Sequence, residues 1–157
     1  MLEPRKVEVT EDSQARLKVQ FYDSDVGYEN LWATYLGNDS YRVESIPYFI
    51  YGISLHDVVE ARPDPEGRLQ FLRVVGRSGN RTLRARPEQF AIAERRGVEL
   101  IDTLKSFGCG VEVLEPRLVA VDVPKQIDMS AVTGFLTGDG IPWEYANPAL
   151  EELDKKT

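Results

Sequence analysis

The residues best suited to chemistry lie close together between positions 77 and 84. This segment combines cationic, hydroxyl and amide side chains: Arg77, Ser78, Asn80, Arg81, Thr82 and Arg84. Gly79 permits a tight turn whose backbone N–H groups are exposed, and arginine donates paired hydrogen bonds to carboxylate or phosphate groups. The segment predicts an anion-binding turn, and the alternative is a solvated turn whose arginines pair with acidic neighbours.

Residues for catalysis or metal binding are scarce. His56 adjoins Asp57, but neighbouring residues on a strand face opposite ways, and no serine or cysteine nucleophile with a recognisable elbow accompanies the pair. Cys109 is the single cysteine, and the chain has no second histidine to activate it. An internal disulfide and a multi-cysteine zinc site are therefore excluded. We expect no catalytic residues, no metal centre and no cofactor, so the chain is not predicted to be an enzyme.

A second candidate site lies in a predicted loop from Gly138 to Tyr145. It carries acidic and aromatic side chains: Asp139, Trp143, Glu144 and Tyr145. Aromatic anchors dominate the binding energy of protein interfaces, so this set predicts contacts with a protein partner. The competing interpretation is that Trp143 packs in the core.

A further aromatic group has two equally good explanations. Its members are Trp32, Tyr35, Tyr41, Tyr48, Phe49 and Tyr51. They could line a ligand pocket or an interface, and they could equally fill the core of a small β unit. The sequence leaves both alternatives open.

The charge distribution favours a protein partner over nucleic acid. The chain has 26 acidic and 19 basic residues and a formal net charge of −7. Residues 77–96 are a basic island, with six arginines against two glutamates. General nucleic-acid binding requires phosphate neutralisation, so it is not expected here. An acidic protein is instead steered electrostatically towards a basic partner.

The sequence divides into one folded domain and two polar ends. Residues 16–146 are predicted to form a single α+β domain with halves at residues 16–76 and 77–146. Residues 1–15 are expected to be flexible, and residues 147–157 form a polar tail. No apolar run resembles a signal peptide or a membrane span, so we expect a cytoplasmic protein with no membrane contact.

The first half has the pattern of a small β unit. Leu17, Val19 and Phe21 alternate with polar residues, which predicts a strand. Turn-forming clusters at residues 37–40 and 63–67 predict hairpins. The half is therefore predicted to be mostly antiparallel and barrel-like.

The second half has a β-α-β-β-α order, close to a ferredoxin-like unit. Its first helix is predicted to begin at Pro87 and to be capped by Gly108 or Gly110. Gly97 falls on the buried stripe of that helix, which indicates a close approach or a break. Asp128 is suited to cap the second helix.

Four phrases with a consistent order and spacing run from residue 31 to residue 145. They are Leu31-Trp32-Ala33 with Tyr41-Arg42-Val43; Ile46-Pro47-Tyr48-Phe49 through Tyr51-Gly52-Ile53-Ser54 to Asp57-Val58-Val59; Ser78-Gly79-Asn80 with Thr82 and Arg84; and Gly140-Ile141-Pro142-Trp143-Glu144-Tyr145. Together they resemble a bacterial family without assigned activity, domain of unknown function 4265. That family often has glycine where this chain has His56, which argues against a catalytic histidine.

The resemblance implies a small bacterial accessory protein and transfers no catalytic residues. Proteins of this type include immunity proteins that neutralise a toxin domain. Our leading hypothesis is a non-enzymatic protein-binding role, as an immunity protein against a basic toxin domain. The alternative is a sensor or regulatory domain for a small molecule or an anion.

Overall fold

The computed structural model describes residues 16–114 and 116–148. The predicted flexible N-terminus lies outside these residues, as does most of the predicted polar tail. The elements within them are β1 (Arg16–Asp23), β2 (Gly27–Gly37), β3 (Ser40–Val43), β4 (Val58–Pro63), β5 (Leu69–Gly76), β6 (Arg81–Ala85), α1 (Arg95–Ser106), β7 (Gly110–Leu114), β8 (Leu118–Val123), α2 (Met129–Gly138) and β9 (Trp143–Asn147).

The first five strands form a closed barrel, which confirms the predicted barrel-like half. Each strand pairs antiparallel with the next, and β5 returns beside β1 in parallel, with Val19 opposite Leu69. The alternation predicted for β1 is present, because Val19 and Phe21 are buried inside the barrel. The rings of Phe21 and Phe71 stack there with centroids 4.7 Å apart. The burial of these side chains drives the barrel to close.

The second half is an antiparallel sheet of order β7-β8-β6-β9, and it carries both helices. The chain order β-α-β-β-α-β is that of the ferredoxin-like split βαβ unit. Val119, Val121 and Val123 of β8 are completely buried in the core formed with the two helices. The predicted loop from Gly138 to Tyr145 was wrong at its end, because residues from Trp143 onward form the edge strand β9. Asn147 ends that strand and does not begin a tail.

Helix α1 begins at Arg95, so the predicted start at Pro87 was wrong. The preceding segment is irregular backbone, which Arg117 holds by donating to the carbonyl oxygens of Glu88 (2.7 Å) and Phe90 (3.2 Å). Gly97 marks the close approach that its position indicated. A Cβ atom there would lie 2.2 Å from the Ile92 carbonyl oxygen, so a side chain has no room.

The β3–β4 segment (residues 44–57) joins the two halves. The Glu29 carboxylate on β2 accepts hydrogen bonds from the backbone N–H groups of Tyr48 (2.8 Å), Phe49 (3.0 Å) and Ile50 (3.0 Å). From the other half, Arg84 on β6 donates to carbonyl oxygens of the same stretch. One carboxylate and one guanidinium thus satisfy backbone N–H and carbonyl groups of residues 47–50, which lie outside the strands.

Candidate functional site

The arginines of the predicted anion-binding turn bind the protein's own backbone. Arg84 is only 3% exposed, and its Nη1 donates to the Phe49 carbonyl oxygen at 2.9 Å. Burial lowers the pKa of Arg84, and the nearby Glu144 carboxylate opposes this effect. Arg81 Nη2 donates to the carbonyl oxygens of Pro124 (2.8 Å) and Ile127 (2.5 Å). These guanidinium groups are anchored in separate places and do not converge on one exposed site.

The remaining residues of the turn are also engaged internally. The backbone N–H of Ser78 donates to Asp57 Oδ1 at 2.8 Å, and Arg77 Nη1 lies 3.4 Å from Asp57 Oδ2. Thr82 Oγ1 lies 2.7 Å from the hydroxyl of Ser54, and both residues are completely buried. The turn therefore contributes to a polar network between the two halves.

Asp122 is the buried carboxylate at the end of this network. It is 3% exposed, and its Oδ2 accepts a hydrogen bond from Asn80 Nδ2 at 3.3 Å. Its Oδ1 has no hydrogen-bond partner among the described residues. Burial raises the pKa of Asp122 to about 6, although Asn80 and Arg81 act in the opposite direction. A carboxylate with this pKa loses its charge under mildly acidic conditions.

The predicted partner-binding residues do not form a single patch. Trp143 and Tyr145 pack against the core between the second sheet and the two helices, which we call the helix-side core. Their rings are edge-to-face and 4.9 Å apart. Trp143 Nε1 donates to Thr137 Oγ1 at 2.9 Å, so this tryptophan is partly a packing residue, as the competing interpretation proposed. Glu144 pairs with Arg84 on the opposite face of the sheet, and Asp139 is exposed where α2 ends.

A cleft beside β9 nevertheless combines residues from both predicted sets. We call it the β9 cleft; its volume is about 350 Å³, and it is lined by Tyr51, Arg84, Arg86, Pro142, Trp143 and Glu144. The Tyr51 hydroxyl donates to the Glu144 carboxylate at 2.9 and 3.0 Å. Burial and this hydrogen bond raise the pKa of Tyr51. Glu144 Oε1 also lies 3.5 Å from Arg84 Nη1, so its charge has a buried partner.

The most exposed aromatic residues lie elsewhere, on the outer face of the β1–β2 hairpin. We call this surface the hairpin face; it consists of Tyr22, Tyr28 and Trp32, which are 62%, 67% and 43% exposed. Tyr22 lies directly opposite Tyr28, with ring centroids 5.0 Å apart. The Lys18 ammonium lies over the Trp32 ring, 5.0 Å from its centroid. The Gln20–Asn30 pair lies between the tyrosine pair and Trp32 on this face, so the hairpin face consists of a tyrosine pair and a separate tryptophan.

Sequence reasoning missed Tyr22 and Tyr28, although a signal for them was present. Tyr22 follows Phe21 in the alternating pattern, so it points outward when Phe21 points inward. Of the aromatic group left open between core and surface, the structure places Tyr41 in the barrel core. Trp32, Phe49 and Tyr51 are exposed, so the group is divided between both explanations.

The remaining candidates for chemistry are isolated. His56 is exposed in a turn before β4, and its Nε2 lies 3.6 Å from Glu44 Oε2. Cys109 is buried, and burial raises the pKa of its thiol to about 11. Among residues 16–114 and 116–148, no three His, Cys, Asp or Glu side chains converge as metal ligands. Neither α1 nor α2 is long and apolar enough to cross a membrane.

Comparisons with known proteins bear on the fold and on the family. A family model described as Domain of unknown function (DUF4265) matches residues 29–143. No curated protein matches the chain. A crystal structure described as that of a hypothetical protein from Neisseria gonorrhoeae is similar, with a TM-score of 0.69 and 18% sequence identity. The match covers 85% of this chain and 94% of the other, and at this identity it supports the fold alone.

Proposed function

The chain belongs to the family Domain of unknown function (DUF4265), and from its surface we propose that it is a non-enzymatic protein-binding module. The proposed biological role is that of an immunity protein, which neutralises a basic toxin domain by covering it.

The observation that carries this proposal is the hairpin face. Tyr22, Tyr28 and Trp32 present three large rings to solvent from one rigid pair of strands. Tyrosine and tryptophan are enriched among the residues that dominate binding energy at protein interfaces, and exposed aromatic side chains on one face of a hairpin are available for such contacts. Leu72 on β5, which is 50% exposed, adds a further apolar side chain on the barrel.

The acidic residues at the turn of the hairpin, at the opposite end from Lys18, support a basic partner. Asp23 and Asp25 lie at the turn that joins β1 to β2, next to Tyr22 and Tyr28. The whole chain carries a formal net charge of −7. Acidic groups at the rim of an aromatic contact surface attract a basic protein from a distance and accelerate its association.

The proposal is tested by protection of a bacterial host. Co-expression of this chain should protect cells from a basic toxin domain, and the genes next to its own are the first place to seek that toxin. Combined Tyr22→Ser and Tyr28→Ser substitutions should abolish protection and weaken the purified complex by roughly a hundredfold or more, since each lost anchor costs about 2 kcal/mol. Val98→Ala serves as the control, because Val98 is also an exposed apolar residue (50%) but lies on α1, in the other half of the fold.

Two results would contradict the proposal. One is a double variant that keeps its melting temperature, its affinity and its protection, because the hairpin face would then not be the contact surface. The other is an association rate that does not fall as salt is raised. Attraction between exposed charges is screened within about 10 Å at 0.1 M ionic strength, so a steered complex must form more slowly in salt.

A further inference from the structure

We propose that the β9 cleft binds a small organic anion, in which a carboxylate or phosphate head is joined to an apolar body. This site is separate from the hairpin face and does not depend on the protein-binding role. It also differs from the anion-binding turn that the sequence predicted, since its cation is Arg86, which lies outside that set.

The charge balance of the cleft favours an anion. Glu144 is matched by the buried Arg84 and by the Tyr51 hydroxyl. Arg86 is exposed and lines the same cleft, and within the described ranges its guanidinium has neither a hydrogen-bond acceptor nor a carboxylate partner. The cleft thus holds one uncompensated positive charge in a chain whose net charge is −7. Arginine binds carboxylate and phosphate oxygens with two parallel hydrogen bonds.

The position of Arg86 is fixed by the fold. Its backbone N–H donates to the Pro142 carbonyl oxygen at 2.8 Å, which extends the pairing of β6 with β9 by one step. Arg86 therefore lines the cleft from a position just beyond the end of β6. A cation held by paired backbone loses less freedom on binding than one carried on a mobile loop.

The walls and volume suit a small ligand with an apolar portion. Tyr51, Pro142 and Trp143 line the cleft beside the two arginines, and the volume of about 350 Å³ lies in the range of small-molecule sites. The Arg84 guanidinium carbon lies 4.8 Å from the centroid of the Tyr51 ring, which supports this wall from behind. The cleft is consequently formed before a ligand arrives.

Direct binding measurements with four probes test the proposal. Calorimetric titrations of the full chain would use benzoate and phenyl phosphate, with acetate and inorganic phosphate as the matching heads without an apolar body. We expect benzoate or phenyl phosphate to bind, and the stronger of the two identifies the head group. Arg86→Ala should weaken that binding by roughly tenfold or more, the value of one charge-assisted contact. Arg95→Ala is the control, because Arg95 is an exposed arginine of the same half.

A second variant determines whether the ligand is an anion or a cation. Glu144→Gln removes the negative charge of the cleft and should tighten binding of an anion several-fold, as expected for unit charges a few ångströms apart in water. A cation-binding cleft would instead lose affinity. The proposal is overturned if no probe binds at millimolar concentration, if Arg86→Ala binds as well as Arg95→Ala, or if Glu144→Gln weakens the anion. Equal binding of inorganic phosphate and phenyl phosphate would refute the proposal that the ligand has an apolar body.

Discussion

Arg77, Arg81, Arg84 and Arg117 each donate hydrogen bonds to carbonyl oxygens of irregular backbone. A guanidinium has five N–H donors and no acceptor, so it is costly to bury unless oxygens surround it. Irregular segments have the complementary need, because their carbonyl groups lack a strand or helix partner. Arg84, the buried one of the four, and the loop backbone therefore stabilise each other, and the other three arginines also satisfy carbonyl groups of irregular backbone.

His56 offers a test of backbone strain at a single residue. Its φ angle is 69°, in the left-handed region that disfavours residues with a Cβ atom. His56→Gly should therefore raise the free energy of unfolding by about 0.5 kcal/mol or more, after the entropy cost of glycine is subtracted. Urea titration measures this change. His56→Ala keeps the Cβ atom and should give no gain; an equal gain in both variants would show that the imidazole, not the backbone, is the cause.

Asp122 should make stability depend on pH. Its pKa rises from 3.8 to about 6 on folding, so the native state holds this proton while the unfolded state has already lost it. Stability should therefore fall as pH rises from about 4 to about 6, by roughly 3 kcal/mol in total, and remain constant above that. Asp122→Asn should remove this fall and be the more stable protein at pH 7. Parallel curves of unfolding free energy against pH for the two proteins would disprove the assignment.

Two glycines in helices allow a comparison, because one has no room for a side chain and the other has open space around it. A Cβ atom on Gly97 of α1 would collide with the Ile92 backbone, whereas a Cβ atom on Gly134 of α2 meets nothing within 4 Å. Gly97→Ala should therefore destabilise the fold by about 2 kcal/mol or more, since backbone must move. Gly134→Ala should stabilise it by up to about 1 kcal/mol through helix propensity. Thermal unfolding of both variants provides the measurement, and equal effects would contradict the close approach of α1 to residue 92.

The sequence predicts an element well where local signals define it. It predicts an element poorly where pairing with a strand that is distant in sequence defines it. The alternation in β1 and the cap at Asp128 are local signals, and both are present in the structure: Asp128 Oδ1 accepts from the Ser130 N–H at 3.0 Å. Strand β9 is different, because its five residues are held by pairing with β6, far away in sequence. The start of α1 was misplaced for a related reason, since contacts with Arg117 hold residues 87–90 out of the helix.

The sequence predicts which types of residue form the candidate sites, but it does not predict which of these residues lie together in space. Arg84 and Glu144 were both singled out, and they meet only because β6 and β9 are neighbours. Arg86 was not singled out, since one arginine within a basic island carries no distinguishing signal. Arg84 and Arg86 differ in the hydrogen-bond acceptors around their guanidinium groups, and only the tertiary structure determines those acceptors.

At the scale of the whole molecule, two separate cores share one polar junction. The barrel core and the helix-side core contain different residues. The junction between the halves includes hydrogen bonds that link Ser54 to Thr82 and to Asn147. Because these hydrogen bonds join residues of different halves, separating the halves would exchange each of them for hydrogen bonds to water, at a net cost of about 0.5–1.5 kcal/mol each.

This junction should make the two halves unfold together, and the two tryptophans provide a test. Trp32 lies on the barrel and Trp143 on β9, so Trp143→Phe and Trp32→Phe leave one fluorescent reporter in each half. Both reporters should give the same urea midpoint. Arg84→Met removes a guanidinium of the second half that binds the β3–β4 segment, and it should lower the unfolding free energy by about 3 kcal/mol. If the halves are coupled, the barrel reporter must shift as far as the β9 reporter; a shift seen by Trp143 alone would mean that the barrel and the ferredoxin-like half are independent folding units.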